Sequence, residues 1–128
     1  MSENFKVEII TPDQLILRTE TSEVTIPSYE GQMGILKDHI PLITFLRPGL
    51  IKIKNEKEIR YYVEEGTVEF SNNILLILTS TAKDYENLKK SSINDLIEKE
   101  EKKLKDINLT DKEKYILSYK IDTLKEFN

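Results

Sequence analysis

The sequence predicts a mainly β chain with an α-helical tail: an N-terminal antiparallel β-sandwich followed by a C-terminal antiparallel α-helical hairpin. Three observations carry that reading. Short apolar or alternating runs recur between turn-forming residues over the first two thirds of the chain. Near residue 84 the hydrophobic period changes from two to that of a helix. Beyond that point neither Pro nor Gly occurs again.

The strands read as Phe5 to Ile10, Leu15 to Arg18, Val24 to Pro27, Leu42 to Leu46, Leu50 to Lys54, Ile59 to Val63, Thr67 to Phe70 and Ile74 to Leu78. Pro12-Asp13, Gly31 to Gly34, Pro48-Gly49, Asn55, Gly66 and Asn72-Asn73 punctuate them. Closely spaced short strands with such punctuation predict a sandwich or barrel. The alternation of Ile51, Lys52, Ile53 and Lys54 turns one face to a core and one to water. Asn72-Asn73 suits a hairpin turn, because Asn tolerates positive φ.

In the tail, Ile93, Leu96, Ile97, Leu104 and Ile107 share one helical face. Ser92 with Asp95 resembles a capping box at its start. The run DINLTD breaks the pattern, and Thr110 with Glu113 starts a second helix whose stripe is Ile116, Leu117, Ile121, Leu124 and Phe127. Two amphipathic helices joined by a short link bury their stripes together. We place the domains at 1–83 for the sandwich and 84–128 for the hairpin. Glu100 and Lys120 interrupt the two stripes and fall within about one helical turn of each other if the chain reverses near Asn108. A charge facing an apolar seam is costly unless paired, so the sequence predicts a Glu100–Lys120 bridge that fixes the hairpin's register. Long stems that carry both charges out to water are the competing arrangement.

Composition narrows the function. The 128 residues are 38% apolar and 33% charged, enough for one core with a heavily solvated surface. The net charge of −4 and the interspersed Lys and Glu argue against nucleic acid as a partner. There is no Cys and only one His, so thiolate chemistry and His-rich metal sites are excluded. The start, MSENFKVEII, resembles neither a signal peptide nor an Arg-rich transit peptide. No apolar run spans a bilayer, so membrane association is expected to be indirect, through another protein.

Candidate reactive groups do not assemble. Gly31 and Gly34 lack the Lys-Ser/Thr and helix of a phosphate loop and read as a turn needing positive φ or close backbone approach. His39 has Asp38 beside it in sequence, but neighbours on a strand point oppositely and no nucleophile accompanies them; a structural histidine in a turn before Pro is expected. Glu64-Glu65 read as a solvated turn rather than a metal site, and EKEEKKLKD as a solvated helix face. No catalytic residue, metal ligand or cofactor is predicted.

The stretch IPSYEGQMGILKDHIPLITFLRPG, Ile26 to Gly49, resembles the epsilon subunit of the F-type ATP synthase. Glu30, Gly31, Gly34, Ile35, His39, Pro41, Leu42, Thr44, Pro48 and Gly49 match that family's pattern. Glu65-Gly66, Val68 to Phe70, Ile74 to Thr79 and Phe5 to Leu17 follow it more weakly. The resemblance implies a non-catalytic central-stalk subunit that couples ring rotation to the gamma shaft. It implies a loop of Tyr29, Glu30, Gly31, Gln32 and Met33 against the membrane ring, and His39, Pro41 and Leu42 against the gamma subunit, with His39 neighbouring the loop. It also implies a hairpin able to reach the catalytic head and inhibit ATP hydrolysis, and a position on the cytoplasmic face of a bacterial inner membrane, with a plastid thylakoid as the alternative. The hairpin departs from the family. Where many relatives carry Asp, Arg and Ala, this chain has Lys89, Ser92 and Ile93, and no Arg follows Arg60, so no ATP binding is expected. A free-standing sandwich that docks an unrelated protein through its hairpin is the alternative reading.

Overall fold

The computed structural model describes residues 3–88, 90–106 and 108–126, with residues 90–92 described by backbone alone. The chain divides into two compact units, Met1–Tyr85 and Glu86–Asn128. The first carries ten strands: β1 (Phe5–Ile10), β2 (Leu15–Thr21), β3 (Glu23–Ser28), β4 (Gly31–Leu36), β5 (Leu42–Leu46), β6 (Gly49–Ile53), β7 (Ile59–Val63), β8 (Gly66–Ser71), β9 (Ile74–Leu78) and β10 (Ala82–Asp84). Eight of them fall on the runs read from the sequence. β4 and β10 do not: Gly31 to Gly34 was expected to be turn throughout, yet a six-residue strand begins at Gly31.

Neighbouring strands run β10-β7-β6-β3-β5-β8-β9-β1-β2, with β4 paired to β3. β3 is the fold-over point. Its first half pairs with β6, through Val24–Ile53 and Thr25–Lys52, and its end pairs with β5, through Ser28–Leu46. One strand thus belongs to both layers of the sandwich. All pairs are antiparallel except β1 with β9, which run parallel in register Lys6–Ile74 to Ile10–Leu78. The expected antiparallel sandwich therefore carries one parallel seam, made where the N-terminal strand inserts between β9 and β2.

Alternation builds the core. Phe5, Val7 and Ile9 of β1, Val24 and Ile26 of β3, Ile51 and Ile53 of β6, Val68 and Phe70 of β8, and Leu75 and Ile77 of β9 are all buried in one cluster. The Phe5 ring meets Phe70 edge-on at 5.5 Å. Two buried hydroxyls end on main-chain carbonyls: Thr21 Oγ1 donates to Lys54, and Ser28 Oγ to Gly31 at 2.7 Å. Gly66 is fixed by close approach, since a Cβ there would lie 2.5 Å from the Leu78 carbonyl oxygen.

The second unit begins with a short 3-10 turn, Tyr85–Asn87, shared with the end of the first, and holds α1 (Lys90–Leu104) and α2 (Asp111–Lys125). Ile93, Ile97, Ile121 and Leu124 are buried. The Thr110–Glu113 capping box forms: Glu113 N–H donates to Thr110 Oγ1 at 3.1 Å, and the Glu113 carboxylate accepts from the Thr110 N–H. The Ser92 cap is not the helix start, because α1 already begins at Lys90. The Ser92 side chain, with Lys89, Ile107 and Phe127, lies outside the described residues.

Candidate functional site

The β3–β4 hairpin turns on two residues, Tyr29 and Glu30, between the paired Ser28 and Gly31. Gly31 adopts φ +115°, which only glycine takes readily. Ser28 organises the turn: its hydroxyl accepts from the Glu30 N–H at 3.2 Å, and its carbonyl accepts from Arg47 Nε at 2.9 Å. Tyr29 and Glu30 are exposed at this tip. Gln32 and Met33 are not loop residues. They lie on β4 and point to opposite faces, Gln32 outward and Met33 partly buried against the core. Gly34 is a correction as well: its φ is not positive, and a Cβ there would meet nothing within 4 Å.

His39 and Pro41 lie at the other end of β4, between it and β5, and Leu42 is the first residue of β5. Five steps of strand, ~17 Å, separate them from the tip, so the two sets are separate surfaces rather than neighbours. Nδ1–H of His39 donates to the Ile40 carbonyl at 2.7 Å, and its ring stands edge-on to Phe70 at 5.9 Å. Leu42 packs partly against the core, while Pro41 is exposed. His39 is thus a structural turn residue in its local bonding.

The larger feature was not read from the sequence. The outward rungs of β5, β8 and β9 place Ile43 beside Glu69 and Leu76, and Phe45 beside Thr67 and Leu78. Ile43 is 72% exposed and Phe45 59%, with Ile74 and Leu78 also open and Ile40 standing out at the edge. Exposed apolar side chains gathered on one sheet face, here interleaved with Glu69 and Thr67 of β8, mark an interaction surface. The signal was present in Leu42 to Leu46, which is apolar on both faces, so alternation could not assign an inside.

Glu65 is more than a solvated turn residue: its carboxylate accepts from the Ser80 N–H at 2.9 Å and from the Ser80 hydroxyl, tying the β7–β8 turn to the end of β9. No cluster of three or more metal-ligating side chains occurs among the described residues. Burial first, and Asp84 second, hold the Tyr61 phenol above its usual range, which keeps it neutral. In the hairpin, Lys120 Nζ lies 3.1 Å from Glu100 Oε1, and Lys103 Nζ lies 3.4 Å from the same oxygen. The Glu100 side chain is 3% exposed, and its Oε2 has no hydrogen-bond partner.

Residues 4–84 match the family model described as the beta-sandwich domain of the ATP synthase delta/epsilon chain. The chain belongs to that family. The ATP synthase epsilon chain of Pelagibacter ubique is 47% identical over the full length of both chains. That of Rickettsia bellii (strain OSU 85-389) is 32% identical over 73% of this chain and 90% of its own. A chain in the Euglena gracilis mitochondrial ATP synthase OSCP/F1/c-ring structure shares the fold at TM-score 0.81 and 20% identity, covering 98% of this chain and 82% of that one. One from the Tetrahymena thermophila central stalk/c-ring structure does so at 0.64 and 19%, covering 95% and 92%. The delta/epsilon family supplies non-catalytic stalk subunits of a membrane-associated complex that couples proton transport to ATP synthesis, and this chain is one of them. Among the described residues no helix is long and apolar enough to cross a membrane.

Proposed function

We propose that the chain couples rotation of the membrane ring to the gamma shaft. The observation that carries this reading is the open apolar face of Ile43, Phe45, Ile74 and Leu78, which asks for a protein partner and which a stalk subunit would seat on gamma together with His39, Pro41 and Leu42. The Tyr29–Glu30 tip, with Gly31, Gln32 and Met33 behind it, meets the ring. His39, Pro41 and Leu42 lie at the far end of β4 and β5 from the tip, while Phe45 lies beside it, its carbonyl accepting from the Tyr29 N–H at 3.3 Å, so the gamma face runs along β5 toward the ring contact. The complex sits on the cytoplasmic face of a bacterial inner membrane, in keeping with its bacterial relatives.

The test uses two pairs of substitutions. Ile43→Asp with Phe45→Asp is expected to leave the sandwich folded, because both side chains point outward, and to abolish co-purification with gamma. Tyr29→Ala with Glu30→Ala should leave gamma binding intact and reduce ATP-driven proton pumping. Normal gamma binding by the first pair or full pumping by the second overturns the corresponding half.

The hairpin reaches the catalytic head and restrains ATP hydrolysis without holding a nucleotide, and the Glu100–Lys120 bridge fixes its register. With no Arg in the hairpin, only lysines remain as point charges for a phosphate. Calorimetry with ATP at micromolar concentration is expected to show no saturable binding, and a saturable isotherm overturns that statement.

A further inference from the structure

Two exposed turns of the sandwich are joined by a reciprocal pair of hydrogen bonds. The Asp38 N–H donates to Asn73 Oδ1 at 2.7 Å, and Asn73 Nδ2 donates to Asp38 Oδ1 at 3.0 Å. Both residues hold left-handed backbone, φ +66° at Asp38 and +59° at Asn73. The Asn73 carbonyl also accepts from the Lys6 N–H at 3.1 Å, so one residue ties β1, the β8–β9 turn and the β4–β5 connection together.

A solvent-exposed side-chain pair adds little to global stability. Its effect is local. The next residue, His39, donates its N–H to Leu36 at 3.1 Å, and Ile40 follows, 75% exposed, on the way to Ile43. A connection carrying an isoleucine that far into water would ordinarily sample many conformations. Here its entry point is pinned from across the sheet.

We propose that Asp38 and Asn73 are positioning residues that hold the Ile40–Ile43 edge in its docking conformation, so that gamma does not meet a loop that must first be ordered. The inference rests on the proposed gamma contact and names two residues that need not touch the partner. Ordering a segment in advance strengthens binding by removing that cost from the encounter.

The substitutions follow from the bonding pattern. Asn73→Gly keeps the positive φ while deleting both side-chain bonds. Asn73→Asp removes the Nδ2 donor and sets two carboxylates together. Asp38→Asn combined with Asn73→Asp restores both bonds: the carboxylate at position 73 accepts from the residue-38 N–H and from the amide Nδ2 at position 38. Affinity for the purified gamma subunit of the same synthase is expected to fall about three- to tenfold in Asn73→Gly and Asn73→Asp and to return to within about twofold in the exchanged pair. Amide exchange at Asp38 should accelerate in both single variants while the thermal midpoint moves little. Equal affinities for Asn73→Asp and the exchanged pair overturn the proposal, as does a lowered midpoint with unchanged affinity. Ile43→Asp separates the two readings. If it abolishes gamma binding while Asn73→Gly has no effect, the contact stands and the clamp falls. If Ile43→Asp itself binds normally, the contact is wrong and the clamp falls with it.

Discussion

The sandwich and the hairpin differ in the charge of the polar groups they bury. In the sandwich, Thr21 and Ser28 are neutral and give their protons to main-chain carbonyls a strand or a turn away. The hairpin has one such hydroxyl, Thr123, which donates to the Tyr119 carbonyl at 2.7 Å, but it also buries a carboxylate, Glu100, held on one oxygen by two lysines and unpartnered on the other. A satisfied hydroxyl is nearly neutral in energy and has no reach. A buried ion pair adds little net stability but penalises every arrangement that separates its members. The sandwich is therefore held by shape, and we propose that charge is what fixes the register of the thin hairpin.

The largest effect should come from separating the hairpin's charges. Lys120→Ala strands Glu100 with only the half-exposed Lys103, at a cost of about 3 kcal/mol. Glu100→Ala should cost less, because the Lys120 stem can carry its ammonium to water. Glu100→Leu with Lys120→Leu should restore stability and lose the unique register, which paired cysteines introduced into this Cys-free chain would report as mixed cross-links. Strict additivity of the two alanine variants in urea unfolding would mean the bridge specifies nothing.

Shape should govern the sandwich next. Gly66→Ala drives a methyl group into the Leu78 carbonyl oxygen and should cost about 2 kcal/mol in thermal unfolding. Gly34→Ala, in open space with ordinary φ, should instead stabilise by about 0.5 kcal/mol. Equal effects at the two glycines would break the argument that packing, not glycine as such, matters here. The smallest loss of stability belongs to the hairpin's end: Thr110→Ala deletes the cap of α2 and should cost about 1 kcal/mol, seen as faster amide exchange at Glu113.

Much of this was legible in the sequence because period and burial share a cause. Ile51 and Ile53 alternate with lysines because one face is wet, and Thr110 with Glu113 announces a helix because both atoms needed for the cap are present. Glu100 was legible for the same reason, as a charge in an apolar stripe. β4 was not: Gly31-Gln32-Met33-Gly34 has turn composition, and only its pairing with Glu23–Ser28 makes it a strand. β10 is three residues long and has no period to read. The apolar outer face was hidden because Leu42 to Leu46, Thr44 apart, is apolar at inward and outward positions alike. The Asp38–Asn73 link was hidden because a side-chain contact across 35 residues leaves no local pattern.

The parallel seam also governs the order in which the chain can fold during synthesis. β1 can pair with β2 as soon as both have emerged, but its other edge waits for β9, about 70 residues further on. Until then Val7 and Ile9 have no Leu75 or Ile77 to pack against. The nascent hairpin is an apolar ribbon with one open edge, a species prone to pairing with the wrong strand. Closing so distant a pair makes folding slow relative to a chain of local contacts. The charged Lys6 and Glu8 on the outer face of that ribbon, with Arg18 opposite Glu8 at 3.4 Å, keep half of it soluble in the interval.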